Sequence, residues 1–223
     1  MTDIGLPTFR GRVVPWITPW SDAPNLPEPV VLAPGGRGIA YADESVHDRT
    51  DDGVLRARGR GPRSPGAGSR PLYDVVDTRR QRRAADRLVC QICGHRPPPH
   101  PDGQVWLLGG ADEVADGILT VTPPVCVTPC AVFALRQCPA LARGHRMVRV
   151  RYPRLWGYHG VLYQPDPGRP GGPPVQTTTG VRLPYDNPLL PWLLADLTVT
   201  RLTGTTPVDL TTGLEASSGG ASC

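Results

Sequence analysis

An α+β fold is predicted by three features of the sequence. Short apolar runs are separated at close intervals by Pro and Gly, the pattern of short strands joined by turns. Two stretches, near 78–89 and 130–137, run without Gly or Pro behind good N-terminal signals and read as helices. Four cysteines fall in two close pairs, 90/93 after the first stretch and 126/130 at the start of the second. The 223 residues suit one large domain or two small ones. At 39% hydrophobic residues with 28 Pro and 26 Gly, the core is expected to be modest and the loops extensive, while five Trp and six Tyr argue against a disordered chain.

Four segments are expected. Residues 1–70 form a Pro- and Gly-rich region in which Arg12–Thr18, Val30–Ala33 and Gly38–Ala42 read as short strands. Asp51-Asp52-Gly53 signals a turn into a return strand at Val54-Leu55, and 59–70 (GRGPRSPGAGSR) reads as a flexible linker or exposed loop. Residues 71–144 follow as a second segment. Asp77 or Thr78 caps a basic helix in which Ala84, Ala85, Leu88 and Val89 supply a narrow apolar stripe. Gly103–Leu108 and Gly117–Val121 read as a β-hairpin. Thr128 and Pro129 open a helix over Cys130–Gln137, which Pro139 ends or kinks and Gly144 terminates. Residues 145–211 read as a small α+β unit: strands at His145–Tyr152 and Trp156–Tyr163 paired with each other, a loop at PDPGRPGGPP, a C-terminal helix through LLPWLLADLTVTRL and a last strand at Val208-Asp209-Leu210. Residues 212–223 are expected to be a disordered tail.

The formal charge is +4, and every basic residue is Arg, none Lys. Arg, Pro, Gly and Ala share GC-rich codons, so genome composition accounts for this as readily as phosphate recognition, for which the guanidinium fork is suited. No segment has the charge and apolar pattern of a signal peptide, and no run approaches the roughly 18 apolar residues of a membrane helix. A cytoplasmic location is expected, and in a reducing compartment paired cysteines read as metal ligands before disulfides.

Cys90-Gln-Ile-Cys93-Gly94 is a C-x-x-C-G knuckle: two intervening residues let both thiolates face one ion, and the glycine permits the tight turn that follows. Cys126-Val-Thr-Pro-Cys130 supplies the second pair. Four thiolates suit a structural Zn2+, with Cys90, Cys93, Cys126 and Cys130 as its ligands. Cys138 falls outside the set. It lies about 12 Å along a helix from Cys130 at about 1.5 Å per residue, whereas two sulfurs on one zinc are only about 4 Å apart. It reads as a core cysteine, and Cys223 as an inert one. His95 and His100 flank the knuckle as alternative ligands or solvated loop residues.

Knuckle, hairpin, then ligands entering a helix: over residues 90–138 this order resembles the treble-clef zinc finger, flanked here by short strands. The same scaffold underlies HNH-type endonucleases, whose hairpin histidine falls at Gln104-Val-Trp-Leu-Leu108, a stretch with no His, and whose helical His or Asn is missing from AVFALRQC. The resemblance thus implies the metal frame without the nuclease chemistry, and four cysteines leave zinc no open position. Asp43, Glu44, Asp48, Asp51 and Asp52 read as a solvated turn or, less simply, as ligands of a hard cation. No phosphate loop or nucleophile elbow is present.

Arg79, Arg80, Arg82, Arg83 and Arg87 crowd the first helix, and Arg146 and Arg149 belong to a second basic group at 143–154. They read as a solvated face, as contacts to nucleic-acid phosphates, or as a surface for an acidic protein partner. The stretches GIAYADE, DRTDDGVL, RRQRRAADRLVCQICG and PPVCVTPCA resemble zinc-containing proteins of actinobacteria and their mobile elements. That likeness implies an N-terminal third packed on the zinc module and carries no activity with it. The leading expectation is a zinc-stabilised, non-enzymatic binding protein acting as a nucleic-acid-binding regulator, with no membrane or small-molecule partner. A diverged metal-dependent nuclease and a scaffold for another protein are the alternatives.

Overall fold

The computed structural model describes residues 5–22, 29–59, 65–110 and 115–209. Along the chain come β1 (Thr8–Phe9), β2 (Arg12–Val13), β3 (Val30–Leu32), β4 (Ile39–Tyr41), β5 (Leu55–Arg56) and α1 (Thr78–Arg87). Next are β6 (Gln104–Gly109), β7 (Ile118–Thr120), α2 (Val132–Gln137), α3 (Pro139–Ala142), β8 (His145–Gln164), β9 (Val175–Pro184) and β10 (Leu193–Pro207). The mixture of helices and strands is α+β, as the sequence predicts.

Two long antiparallel strands, β8 and β10, form the spine of the main sheet. Each carries two short neighbours end to end along its outer edge: β6 and β9 on β8, β5 and β7 on β10. Only β5 runs parallel to its partner. Two small hairpins, β1–β2 and β3–β4, lie outside this sheet. The turn at 51–53 forms as read, and Gly53 takes φ +81° before the chain returns through Val54 into β5.

Side chains of α1 complete the β10 edge where β5 and β7 leave a gap. The carboxamide of Gln81, 1% exposed, accepts from the Thr198 N–H at 2.9 Å and donates to the Thr198 carbonyl at 2.9 Å. It also donates to the Val121 carbonyl at 2.7 Å. One residue on, Arg82 Nη1 reaches the carbonyls of Asp196 at 3.2 Å and Ala57 at 3.4 Å. These side chains satisfy strand groups that would otherwise be buried without partners. The helix itself begins as read: Asp77 accepts from Arg80 N at 2.9 Å, and Leu88 ends it in the left-handed conformation.

Four expectations are corrected. The C-terminal helix is absent: Leu190–Trp192 makes a single 3-10 turn after Asn187-Pro188, and Leu193–Pro207 is strand β10. Covered by α1 and flanked along both edges, β10 shows near-continuous burial over Thr198–Thr200, which hides the two-residue period. Strands 145–152 and 156–163 do not pair with each other; they are one strand of 20 residues. Pro153 is tolerated because neither β6 nor β9 runs beside 151–156, so β8 behaves there as an edge. Finally, β6 and β7 do not form a hairpin: β6 joins β8 and β7 joins β10. Val208 and Asp209 lie beyond β10 and are not strand, while Leu210 and the tail fall outside the described residues, as do 60–64 of the linker.

Candidate metal centre

The knuckle is built by two backbone bonds, Cys90 N to the His95 carbonyl at 2.7 Å and Gly94 N to the Cys90 carbonyl at 2.8 Å. Gly94 takes φ +74°, and the Trp16 ring lies 2.8 Å from where a Cβ would stand. The N-terminal segment is hydrogen-bonded to the knuckle: Trp16 N donates to the Ile92 carbonyl at 2.7 Å and Ile17 N to the Gln91 carbonyl at 3.1 Å. Val13 N reaches Gln137 Oε1 at 3.1 Å on α2. Residues 13–17 are thus packed on this module, whereas Val30, Ile39, Tyr41 and Leu55 pack against Tyr163, Trp192 and Leu194 at the main sheet.

The second cysteine pair flanks an irregular turn over Val127–Ala131, in which Thr128 is extended. Regular helix starts at Val132, two residues later than read, so Cys130 enters from the turn, outside the first turn of α2. Cys126 is anchored through its neighbour, since Val125 N bonds the Val105 carbonyl of β6 at 2.8 Å.

The ligand atoms of Cys90, Cys93, Cys126 and Cys130 lie within 4.8 Å of one another, and all four residues are buried. Cys93 and Cys126 Sγ are 3.8 Å apart. Sulfurs about 2.3 Å from a tetrahedral ion are separated by about 3.8 Å, whereas a disulfide needs about 2.05 Å. Cys90 Sγ also accepts from Ile92 N at 3.4 Å and Cys126 N at 3.3 Å, bonds that favour a thiolate. Hydrogen bonding from Cys126 pushes the Cys90 and Cys93 thiols down, and Cys130 pushes Cys126 up. Four thiols this close cannot all ionise unless a cation is shared among them. The donor set therefore fits a metal ion.

An apolar shell closes the site: Val105 and Leu107 of β6, Val125, Ala131 and Met147 of β8. Trp106 and Leu108 point to the other face of β6 and pack with Val148, Val150 and Leu202. Cys138 is unbridged, half-buried and outside the cluster, at the break between α2 and α3. It lies away from the metal site as the distance argument requires, but shallower than a core residue. His95 and His100 are exposed and outside the cluster.

The other candidate residues divide by environment. Arg80 donates to the Trp16 carbonyl at 2.6 Å and lies 5.9 Å from the Trp16 ring centroid. Arg82 joins the β10 edge, and Arg149 reaches the Gly103 carbonyl at 3.1 Å. Arg79, Arg83 and Arg87 are exposed and, at four-residue spacing, follow one stripe of α1. Arg146 is exposed on β8. Most of the acidic cluster is paired: Arg58 grips Asp48 through both carboxylate oxygens at 2.7 and 2.8 Å and Asp43 at 2.9 Å. Arg49 pairs with Glu44 at 2.6 Å, and Asp52 accepts from Tyr158 at 2.9 Å. Residues 43–52 are thereby an ion-paired turn more than a solvated one.

Compared with protein-family models, curated proteins and solved structures, the chain matches none. No helix among the described residues is long and apolar enough to cross a membrane. The sequence did not disclose a cavity of about 840 Å3 beside α1, lined by Arg56, Asp86, Tyr158 and Tyr185 among others. Its walls come from stretches more than a hundred residues apart, so no local motif could show it.

Proposed function

We propose that this chain is a zinc-stabilised, non-enzymatic binding protein that takes nucleic-acid phosphates on the arginine stripe of α1. Zinc is the ion of choice because four soft thiolates in a buried tetrahedral cage suit it, and a closed sphere holds structure without chemistry. Only the knuckle and the ligand spacing remain of the treble-clef pattern, because β6 and β7 join the main sheet instead of pairing and Cys130 precedes the regular helix.

The observation that carries the phosphate reading is the exposed row Arg79, Arg83, Arg87. These side chains make no hydrogen bond or ion pair among the described residues, and the zinc module sits at the end of the helix that bears them. Arg80, Arg82 and Arg149 are engaged with backbone carbonyls and serve the fold.

The test is binding of duplex and single-stranded oligonucleotides by the zinc-loaded protein across a salt series. Binding should weaken as salt rises, with a log–log slope of about −0.9 per phosphate neutralised on duplex. Replacing Arg79, Arg83 and Arg87 together by Gln should flatten that slope by up to about 3. Absence of binding at low salt, or a slope the triple variant leaves unchanged, rejects the nucleic-acid reading.

A further inference from the structure

The cavity beside α1 has the makeup of a small-ligand site. Its volume of about 840 Å3 lies within the range of about 300–1,000 Å3 usual for such sites. One wall is cationic: Arg56 from β5 faces Arg79, Arg82 and Arg83 from α1. A smaller hollow of about 420 Å3 continues past Arg56, Arg79 and Arg82. The guanidiniums press on one another, since burial and then Arg56 and Arg79 hold Arg82 down at about 10. Arg56 Nε is buried without a hydrogen-bond partner, so the guanidinium on this wall is not fully satisfied by the protein. The positive side chains outnumber the carboxylates of Asp51, Asp52 and Asp86 on the lining.

The opposite wall is aromatic. Tyr158 and Tyr185 meet edge to face with centroids 5.1 Å apart, and Tyr185 and Leu155 leave large apolar surface exposed. The Tyr158 hydroxyl donates to Asp52 at 2.9 Å. Burial, with help from Asp86 and Asp52, pushes Tyr185 up to about 12. Burial raises the Tyr158 phenol as well, so neither ring brings a negative charge to the cavity at pH 7. Asp51 remains exposed at the mouth, where a carboxylate can accept from an amino or imino N–H.

A dianionic group beside a flat ring that carries N–H donors matches both walls at once. We propose that this cavity binds one nucleoside monophosphate unit, its phosphate among Arg56, Arg79 and Arg83 and its base against Tyr185 and Leu155. The proposal rests on the phosphate reading of the α1 arginines and adds the pocket that would receive one nucleotide. Two sources offer the same chemistry: a free nucleotide, or the 5′-phosphorylated end of a strand.

Zinc-loaded protein is titrated calorimetrically with inorganic phosphate, with adenosine and uridine monophosphates, and with short oligonucleotides bearing 5′-phosphate or 5′-hydroxyl. The expected result is one nucleotide per chain, held more tightly than inorganic phosphate. Arg56→Gln should weaken it about tenfold or more. Tyr185→Ala should weaken the nucleotide and spare phosphate. Both variants should keep one zinc per chain as evidence of folding. Tighter binding of 5′-phosphorylated strands than of 5′-hydroxyl strands identifies the strand end as the source. Nucleotides that bind where strands do not identify the free molecule, and overturn the nucleic-acid reading alone. Strands that bind without regard to the 5′ group, while mononucleotides do not bind, overturn the pocket and leave that reading standing. Equal affinity for phosphate and nucleotide, untouched by Tyr185→Ala, also overturns the pocket.

Discussion

Replacing Gln81 by Ala should cost more than any change at the exposed arginines beside it. The native carboxamide makes three buried hydrogen bonds, two to the Thr198 backbone and one to the Val121 carbonyl. Each buried bond is worth about 1 kcal/mol net, and a backbone group left buried without a partner costs about 1–3 kcal/mol. Truncation orphans the Thr198 N–H and two carbonyls in a site that is 1% exposed in the native protein. The loss should total about 3–5 kcal/mol, a sizeable part of the roughly 5–15 kcal/mol that stabilises a domain. At about 2–4 °C per kcal/mol for a chain of this size, the melting temperature should fall by about 6–20 °C. Urea denaturation of the zinc-saturated protein measures the first quantity, and amide exchange at Thr198 locates it. Arg83→Ala, two residues away on the exposed side, should stay within about 0.5 kcal/mol. A Gln81→Ala loss below about 1 kcal/mol, with Thr198 exchange unchanged, would refute the role of α1 in completing the β10 edge.

Three further outcomes follow. The Arg58 guanidinium, bonded to Asp48 through Nε and Nη2, holds that carboxyl well below its usual range; its stabilisation is present above about pH 4 and is lost as pH falls through the depressed folded value. Acid unfolding of Asp48→Asn should accordingly show a shallower decline below pH 4, and a parallel curve would contradict the pairing. Gly94→Ala should destabilise by at least about 1–2 kcal/mol for the left-handed backbone, with an added clash on Trp16. Gly53→Ala, at a similar φ of +81° with nothing within 4 Å, should cost only the backbone part, so equal losses in chevron or urea experiments would remove the Trp16 contact. Because thiolates must be deprotonated to hold metal, acidification or a strong chelator should release the ion and unfold residues around the knuckle. Retention of native amide protection at Cys90 and Cys126 in metal-free protein would count against a folding role.

The local features were legible from sequence and the long-range ones were not. C-x-x-C-G specifies a knuckle within five residues, and Asp77 followed by a Gly-free, Pro-free run specifies α1. The turn at Asp51-Asp52-Gly53 declared itself for the same reason. The run 187–202 misled because Leu-rich composition resembles a helix, whereas the hydrogen bonds of β10 come from β8, β5 and β7, which lie far away in sequence. Pro153 looked like a break between two strands; only the absence of β6 and β9 beside it explains its place inside one. The arginines of α1 were visible as a cluster, but their division into structural Arg80 and Arg82 and the exposed row 79, 83, 87 depends on carbonyls of Trp16, Ala57 and Asp196 that the helix sequence does not mention.

X-ray absorption at the zinc edge reads the ligands of a single metal ion on Cys90, Cys93, Cys126 and Cys130. Purified protein should contain one zinc per chain, with four sulfur neighbours at about 2.3 Å and no nitrogen or oxygen ligand; Cys93→Ser should remove the ion or lower the sulfur count to three. A metal-free chain that keeps its fold, or a zinc carrying a histidine or water ligand in the native protein, would contradict the closed tetrathiolate site.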